Sequence, residues 1–335
     1  MNKNLCKFTA AVFIYASFAF YLYQPYFKHF DKLQRLVLVN VCLAAVGSFV
    51  LSRRWVASFW GSFFTGAIYG FGPFVLGLAK YHPTAVLITA GIPWLFCPAV
   101  FGPKAKWQWL RIPFSAIPFL AIVLFFQITA HFRLFAIPIQ SKLHLADLVG
   151  LLAPLATVTG NLTLIGFYHV PVAALVMGLS MLLTARRFSI MIIFAIGTVL
   201  AFCNPILDIS PIIWLALPVL CCSVITGIGL QGLASAGFAD KKWVMMTTII
   251  MLVLSLVTLL LATKYFEIFA GLGDKYGKLF TETAKMYILG AIPVAIVFFM
   301  VRAKLRLCWL RWIFLCSAAA ADIFLGAGFI VDRIF

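Results

Sequence analysis

Long apolar runs alternate with short basic punctuation along the whole chain. Residues 8–27, 36–52, 55–79, 81–103 and 112–132 contain no Lys, Arg, Asp or Glu. The second half continues the pattern at 148–185, 188–207, 209–239, 243–263 and 286–301. A last run, 312–331, holds a single charge, Asp322. A helix needs about 20 apolar residues to cross the hydrocarbon of a bilayer. Barrel strands would instead read as alternating segments of about ten residues, and no such series is present. The pattern predicts an all-α fold, a polytopic transmembrane bundle of 11–12 helices forming one integral membrane domain over 1–335.

The count turns on the run 148–185. Its 38 residues accommodate two helices bent at Tyr168-His169-Val170-Pro171, giving twelve crossings. A re-entrant or broken segment at 150–171 would give eleven. Gly150, Pro154, Gly160, Asn161, Gly166 and Pro171 suit irregular backbone, which is tolerated at membrane depth only in protein or beside a cavity. Twelve crossings with a cytoplasmic N-terminus put 12 Lys and Arg inside and 14 outside. Eleven crossings put 15 inside and 11 outside, as the positive-inside rule requires. The first run, preceded by Lys3 and Lys7, reads as an uncleaved helix, since it is longer than a signal-peptide core and lacks a small-residue cleavage site.

Basic corners recur. Arg53-Arg54-Trp55 has a counterpart in Arg186-Arg187-Phe188, 133 residues on, and Lys104-Ala105-Lys106-Trp107 one in Lys241-Lys242-Trp243, 137 residues on. Both offsets span five helices, so halves 1–130 and 145–263, with additional helices over 286–331, would be inverted repeats of the kind found in secondary transporters. Basic pairs beside an aromatic are also ordinary interface anchors. The segment Gly77-Leu78-Ala79-Lys80-Tyr81-His82-Pro83-Thr84-Ala85-Val86-Leu87-Ile88, followed by Pro93 and by Lys106-Trp107-Gln108-Trp109-Leu110, resembles the third-to-fourth helix corner and the fifth-helix link of the drug/metabolite transporter superfamily. That resemblance covers about residues 55–126. It implies ten helices in two inverted five-helix halves and a transport function.

Composition sharpens the class. Hydrophobic residues make up 64% of the chain and charged ones 10%, against roughly 25% charged in a soluble domain. That excludes a soluble enzyme, a disordered chain and a disulfide-stapled secreted module. The net charge of +17 is spread over helix ends. It therefore points to anionic lipids and not to nucleic acid. Arg302, Lys304, Arg306 and Arg311 form the densest cluster, with lipid-headgroup contact or simple topology-setting as its roles.

Polar groups inside the runs are few, and they nominate the functional residues. Asp322 stands between Ala318–Ala321 and Ile323-Phe324-Leu325. A carboxylate at that depth costs about 2.5–3.5 kcal/mol on insertion scales. It should face the protein interior, protonated or paired with a cation, for proton coupling, substrate contact or a structural bond. The amides Gln127, Asn161 and Gln231 bridge helices by default. Gln231 in Gly227-Ile228-Gly229-Leu230-Gln231-Gly232, and Asn161 beside Gly160, could equally line a substrate path. His169 and Asp208 complete the path candidates. His169, like His29, His82, His131 and His144, falls at a helix end, where headgroup-level solvation is the plain reading; Asp208 is read as a cap or a ligand.

No metal or cofactor motif appears, so neither is expected. The eight cysteines form no Cys-x-x-Cys pair and sit mostly in apolar runs as small hydrophobes. Three function classes remain. The first is a secondary transporter or flippase for a small-molecule or lipid-linked substrate. The second is a membrane enzyme on lipid-linked substrates, and the third a non-catalytic subunit among other membrane subunits. The expected location is the inner or plasma membrane.

Overall fold

The computed structural model describes residues 3–28, 35–78, 83–101, 111–131, 149–153, 168–184, 188–203, 209–263, 276–305 and 307–335. The helices are α1 (Lys3–Tyr23), α2 (Leu36–Ser52), α3 (Phe59–Gly70), α4 (Pro73–Leu78), α5 (Pro83–Phe101), α6 (Arg111–His131) and α7 (Val149–Leu152). They continue with α8 (His169–Thr184), α9 (Phe188–Phe202), α10 (Pro211–Trp214), α11 (Ala216–Ser235), α12 (Lys241–Ala262), α13 (Tyr276–Arg302) and α14 (Cys308–Ile334). Among the described residues no strand is formed, and the fold is an all-α bundle.

Among the described residues, six segments are long and apolar enough to cross a membrane: Leu5–Tyr26, Phe59–Leu78, Pro211–Ser235, Phe238–Ala262, Gly277–Arg302 and Cys308–Ile334. Five further apolar helices, α2, α5, α6, α8 and α9, accompany them. The chain is an integral, multi-pass membrane protein.

Burial sorts these helices into centre and flank. Apart from the exposed Trp60 the Phe59–Leu78 span is almost wholly buried, as is Pro211–Ser235, whereas Leu5–Tyr26 and Phe238–Ala262 are less than a third buried. On α12 the outward side chains include Trp243, Ile249, Leu252, Leu256 and Leu259, an apolar surface of the kind that lipid or another membrane protein covers. The central helix α11 packs against α8, α3, α9 and α14.

In lipid, helices gain little from burying apolar surface against one another, so association depends on close contact at small residues. The stretch Gly66-Ala67-Ile68-Tyr69-Gly70 is one such contact, made within the chain. A Cβ on Gly66 would lie 2.4 Å from the Ala45 carbonyl oxygen, and one on Gly70 2.8 Å from that of Val41. Helix α3 therefore crosses α2 at backbone distance.

The span 59–78 is not one continuous helix. It breaks at Phe71-Gly72, because Pro73 has no N–H to donate and disfavours helical geometry in the residue before it. Pro73 then opens α4, a position where its missing N–H costs nothing.

Candidate functional site

Helix α8 begins at His169. Pro171 falls in its first turn, where a missing N–H is tolerated. The residue before the helix is Tyr168, whose side chain cannot reach back to cap the exposed N–H groups as Ser or Asp would. The cap comes from another helix. Asp322, near the middle of α14 and about 20 Å from either end, accepts the Val170 N–H through Oδ2 at 2.6 Å. Its other oxygen, Oδ1, lies 2.9 Å from His169 Nδ1. Both residues are about 1% exposed. The carboxylate thus sits at the positive end of a helix dipole and against an imidazole, so both of its oxygens are satisfied.

Two tyrosines frame this pair. The Tyr287 ring meets the His169 ring edge-on with centroids 4.8 Å apart, and its hydroxyl donates to the Leu152 carbonyl at 2.9 Å. Tyr168 lies across Gly326, where a Cβ would come within 2.3 Å of the ring. Its hydroxyl donates to the Phe71 carbonyl at 2.6 Å, at the break between α3 and α4. Asp322, Tyr287 and Phe71 are each near the middle of their spans. The start of α8, the break in α3–α4 and the buried carboxylate therefore meet at one level inside the bundle. Tyr168→Phe leaves the Phe71 carbonyl without this donor and is expected to lower stability by about 1 kcal/mol. Reversible unfolding in bicelles reads the loss, and an unchanged curve would show that the carbonyl finds another donor.

One atom is left over. Among the described residues, the buried His169 Nε2 has no partner. If the ring is neutral and its Nδ1–H donates to Asp322, Nε2 carries a free lone pair; if the ring is protonated, Nε2–H is an unmet donor. Besides His169, the phenols of Tyr168 and Tyr287 lie in electrostatic reach of Asp322.

Of the other path candidates, Gln231 and Gln127 do not join this site. Gln231 Oε1 accepts the N–H groups of Ala57 (2.9 Å) and Ser58 (3.1 Å), fastening the turn before α3 to the end of α11. Gln127 is exposed on α6. Asn161, Asp208 and Arg306 lie outside the described residues, as do residues 79–82 of the family-like corner 77–88, its link 106–110 and the pair Arg186-Arg187. Of the proposed lipid contacts, Arg302 and Lys304 are exposed. Arg311 is buried, its guanidinium donating to the carbonyls of Ala236 and Leu305.

Sequence reasoning missed Tyr168, Tyr287 and the Phe71 carbonyl as members of the Asp322 site. Gly72-Pro73 was the available signal for the break. The pairing of Tyr168 and Tyr287 with it had none.

A second feature lies elsewhere. A cleft of about 520 Å³ opens between α2, α5, α9 and α11. Phe96, Val100, Ile193 and Leu220 give it an apolar wall, to which Arg54 and Ser189 add polar groups. Among the described residues no group of three His, Cys, Asp or Glu side chains converges. No protein-family model matches the chain, and neither does any curated protein or solved structure.

Proposed function

We infer that this protein is a proton-coupled secondary transporter, with Asp322 and His169 as its proton site. The observation that carries the reading is the buried pair, whose Nε2 has no partner among the described residues. Asp322 holds the ring by Nδ1, which fixes the tautomer and orients the opposite nitrogen. Proton uptake at Nε2 converts a neutral imidazole beside a carboxylate into an ion pair. The charge inside the bundle then changes by one unit, where α8 starts and α3–α4 is broken. A ligand or proton moves a conformational equilibrium only by interacting differently with the two states, and a change of charge in a low-dielectric interior is a strong differential interaction.

The cleft at α2, α5, α9 and α11 suits the substrate: an amphiphile with an apolar body and an anionic group for Arg54. This is the lipid or lipid-linked form of the reading. The halves 1–130 and 145–263 would be the two moving bodies. Lys3 and Lys7 in the first turns of α1 favour a cytoplasmic N-terminus in an inner or plasma membrane.

A pH step applied to the reconstituted protein on a solid-supported membrane tests the proton site without a known substrate. A transient charge displacement is expected from the parent and is lost in Asp322→Asn and in His169→Gln. Variants that fold and displace the same charge as the parent would reduce the pair to a structural cap.

A further inference from the structure

A cavity of about 410 Å³ lies where α11 and α13 end and α14 begins, lined in part by Ala236, Phe238, Lys304, Cys308 and Arg311. Its unusual member is Arg311. The side chain is 5% exposed. Nη1 donates to the Ala236 carbonyl at 2.6 Å and Nη2 to the Leu305 carbonyl at 2.7 Å. Nε is buried and has no partner among the described residues. Among the described residues no carboxylate pairs with it. A guanidinium does not lose its proton in a protein, so a full positive charge is held out of water by neutral oxygens alone. Buried charges are ordinarily paired.

The surroundings add positive charge. Helix α14 starts at Cys308 after Leu307, which gives no side-chain cap. Its first N–H groups therefore point outward with the positive end of the dipole. Lys304 Nζ stands 5.1 Å from the centre of the Phe238 ring and Lys241 Nζ 4.3 Å from the same ring. The nearby carboxylate of Asp240 accepts the Gly237 N–H at 2.8 Å.

The backbone at Lys304 is a second sign. Its φ of 55° is left-handed, the one such value outside glycine among the described residues. The bonds from Lys304 N–H to the Val301 carbonyl and from Leu305 N–H to that of Met300 form a Schellman turn, whose left-handed position usually belongs to glycine. Lysine there is strained, and what it offers over glycine is its ammonium group.

We propose that this cavity binds a phosphate-bearing anion, held by Arg311, Lys304 and the start of α14. Guanidinium, ammonium and helix N-terminus together are the chemistry of phosphate recognition. The ligand is the headgroup of an anionic phospholipid or a phosphate free in solution. The site stands about 16 Å along α14 from Asp322 and does not depend on the proton-site reading.

The test compares thermal stability of the whole protein in nanodiscs of phosphatidylcholine, with and without phosphatidylglycerol, and in phosphatidylcholine with added inorganic phosphate. Sodium chloride matches the ionic strength. A rise with phosphatidylglycerol alone identifies a lipid site, and a rise with inorganic phosphate a site open to solution. Lys304→Gly gives the decisive variant, because it preserves the turn. In phosphatidylcholine alone it should melt higher than the parent, with strain relieved. Its anion affinity should fall about tenfold, the equivalent of one charge-assisted hydrogen bond. Arg311→Lys should weaken the anion further, and Lys285→Gln, a charge removed elsewhere on α13, should not. The proposal is overturned if neither anion stabilises the parent, if Lys304→Gly keeps the full response, or if Lys285→Gln loses as much.

Discussion

Asp322→Ala is expected to destabilise the bundle by about 3–5 kcal/mol, the usual cost of removing one partner from a buried pair. The substitution strips two groups at once. The Val170 N–H loses its 2.6 Å acceptor and His169 Nδ1 its 2.9 Å partner, and neither has water to turn to. Each buried polar group left unsatisfied costs about 1–3 kcal/mol. Asp322→Asn should behave differently. Its carbonyl oxygen still accepts from Val170, and its amide can donate to His169 Nδ1 in the other tautomer. That variant is expected within about 1 kcal/mol of the parent, which is why it can report on proton coupling. Reversible unfolding in bicelles measures both. The double variant Asp322→Ala with His169→Leu should recover part of the loss, since a site with both partners apolar has fewer orphans. Equal losses for Ala and Asn would mean that the carboxylate's hydrogen bonds are not what holds this junction.

How far this site was legible in the sequence depends on which coordinate is asked for. Position along the helix could be read. Asp322 lay inside a run with small residues on both sides, and a charge there had to turn inward; the structure buries it. Tyr168-His169-Val170-Pro171 was readable as a corner, and α8 starts at His169. Depth could not be read. His169 at a helix end suggested headgroup level, yet that end is buried against the middle of α14, because a charge-free run counts residues without fixing where inside the bundle a helix begins. Arg311 shows the same limit in reverse. A basic residue beside a loop suggested an exposed charge, but the side chain is buried, and the Ala236 and Leu305 carbonyls just past the ends of α11 and α13 accept from it. Gln231 was polar and flanked by glycine, which suggested a path; its oxygen is occupied by the turn before α3. Partners from distant segments decide each case, and spacing along one chain does not contain them.

Gly229→Val is expected to leave little folded protein in detergent, because at this point two helices touch through their backbones. A Cβ on Gly229 would fall 1.6 Å from the Ala174 carbonyl oxygen and 2.8 Å from the Gly178 nitrogen. From the other side, a Cβ on Gly178 would fall 2.0 Å from the Ile225 carbonyl oxygen. No flexible side chain is available to move aside, so α8 and α11 must separate along their contact. Overpacking in a close-packed interior costs about 1–3 kcal/mol where side chains can adjust; with backbone as the obstacle the cost belongs at or above the top of that range. Helix α11 also carries Gly227 against Thr65 and Gly61 of α3, so pushing it off α8 drives it into a second close contact. Displacing α8 further pulls Val170 and His169 away from Asp322, and the two sites should be coupled. Gly229→Val and Asp322→Ala together are then expected to cost less than the sum of the single variants, since the first already breaks what the second removes. Gly328→Ala supplies the control. Nothing lies within 4 Å of a Cβ there, and alanine's better helix propensity predicts a gain of up to about 1 kcal/mol. Size-exclusion profiles after a temperature ramp separate these outcomes. A Gly229→Val protein that melts with the parent would mean that α8 and α11 do not meet at backbone distance.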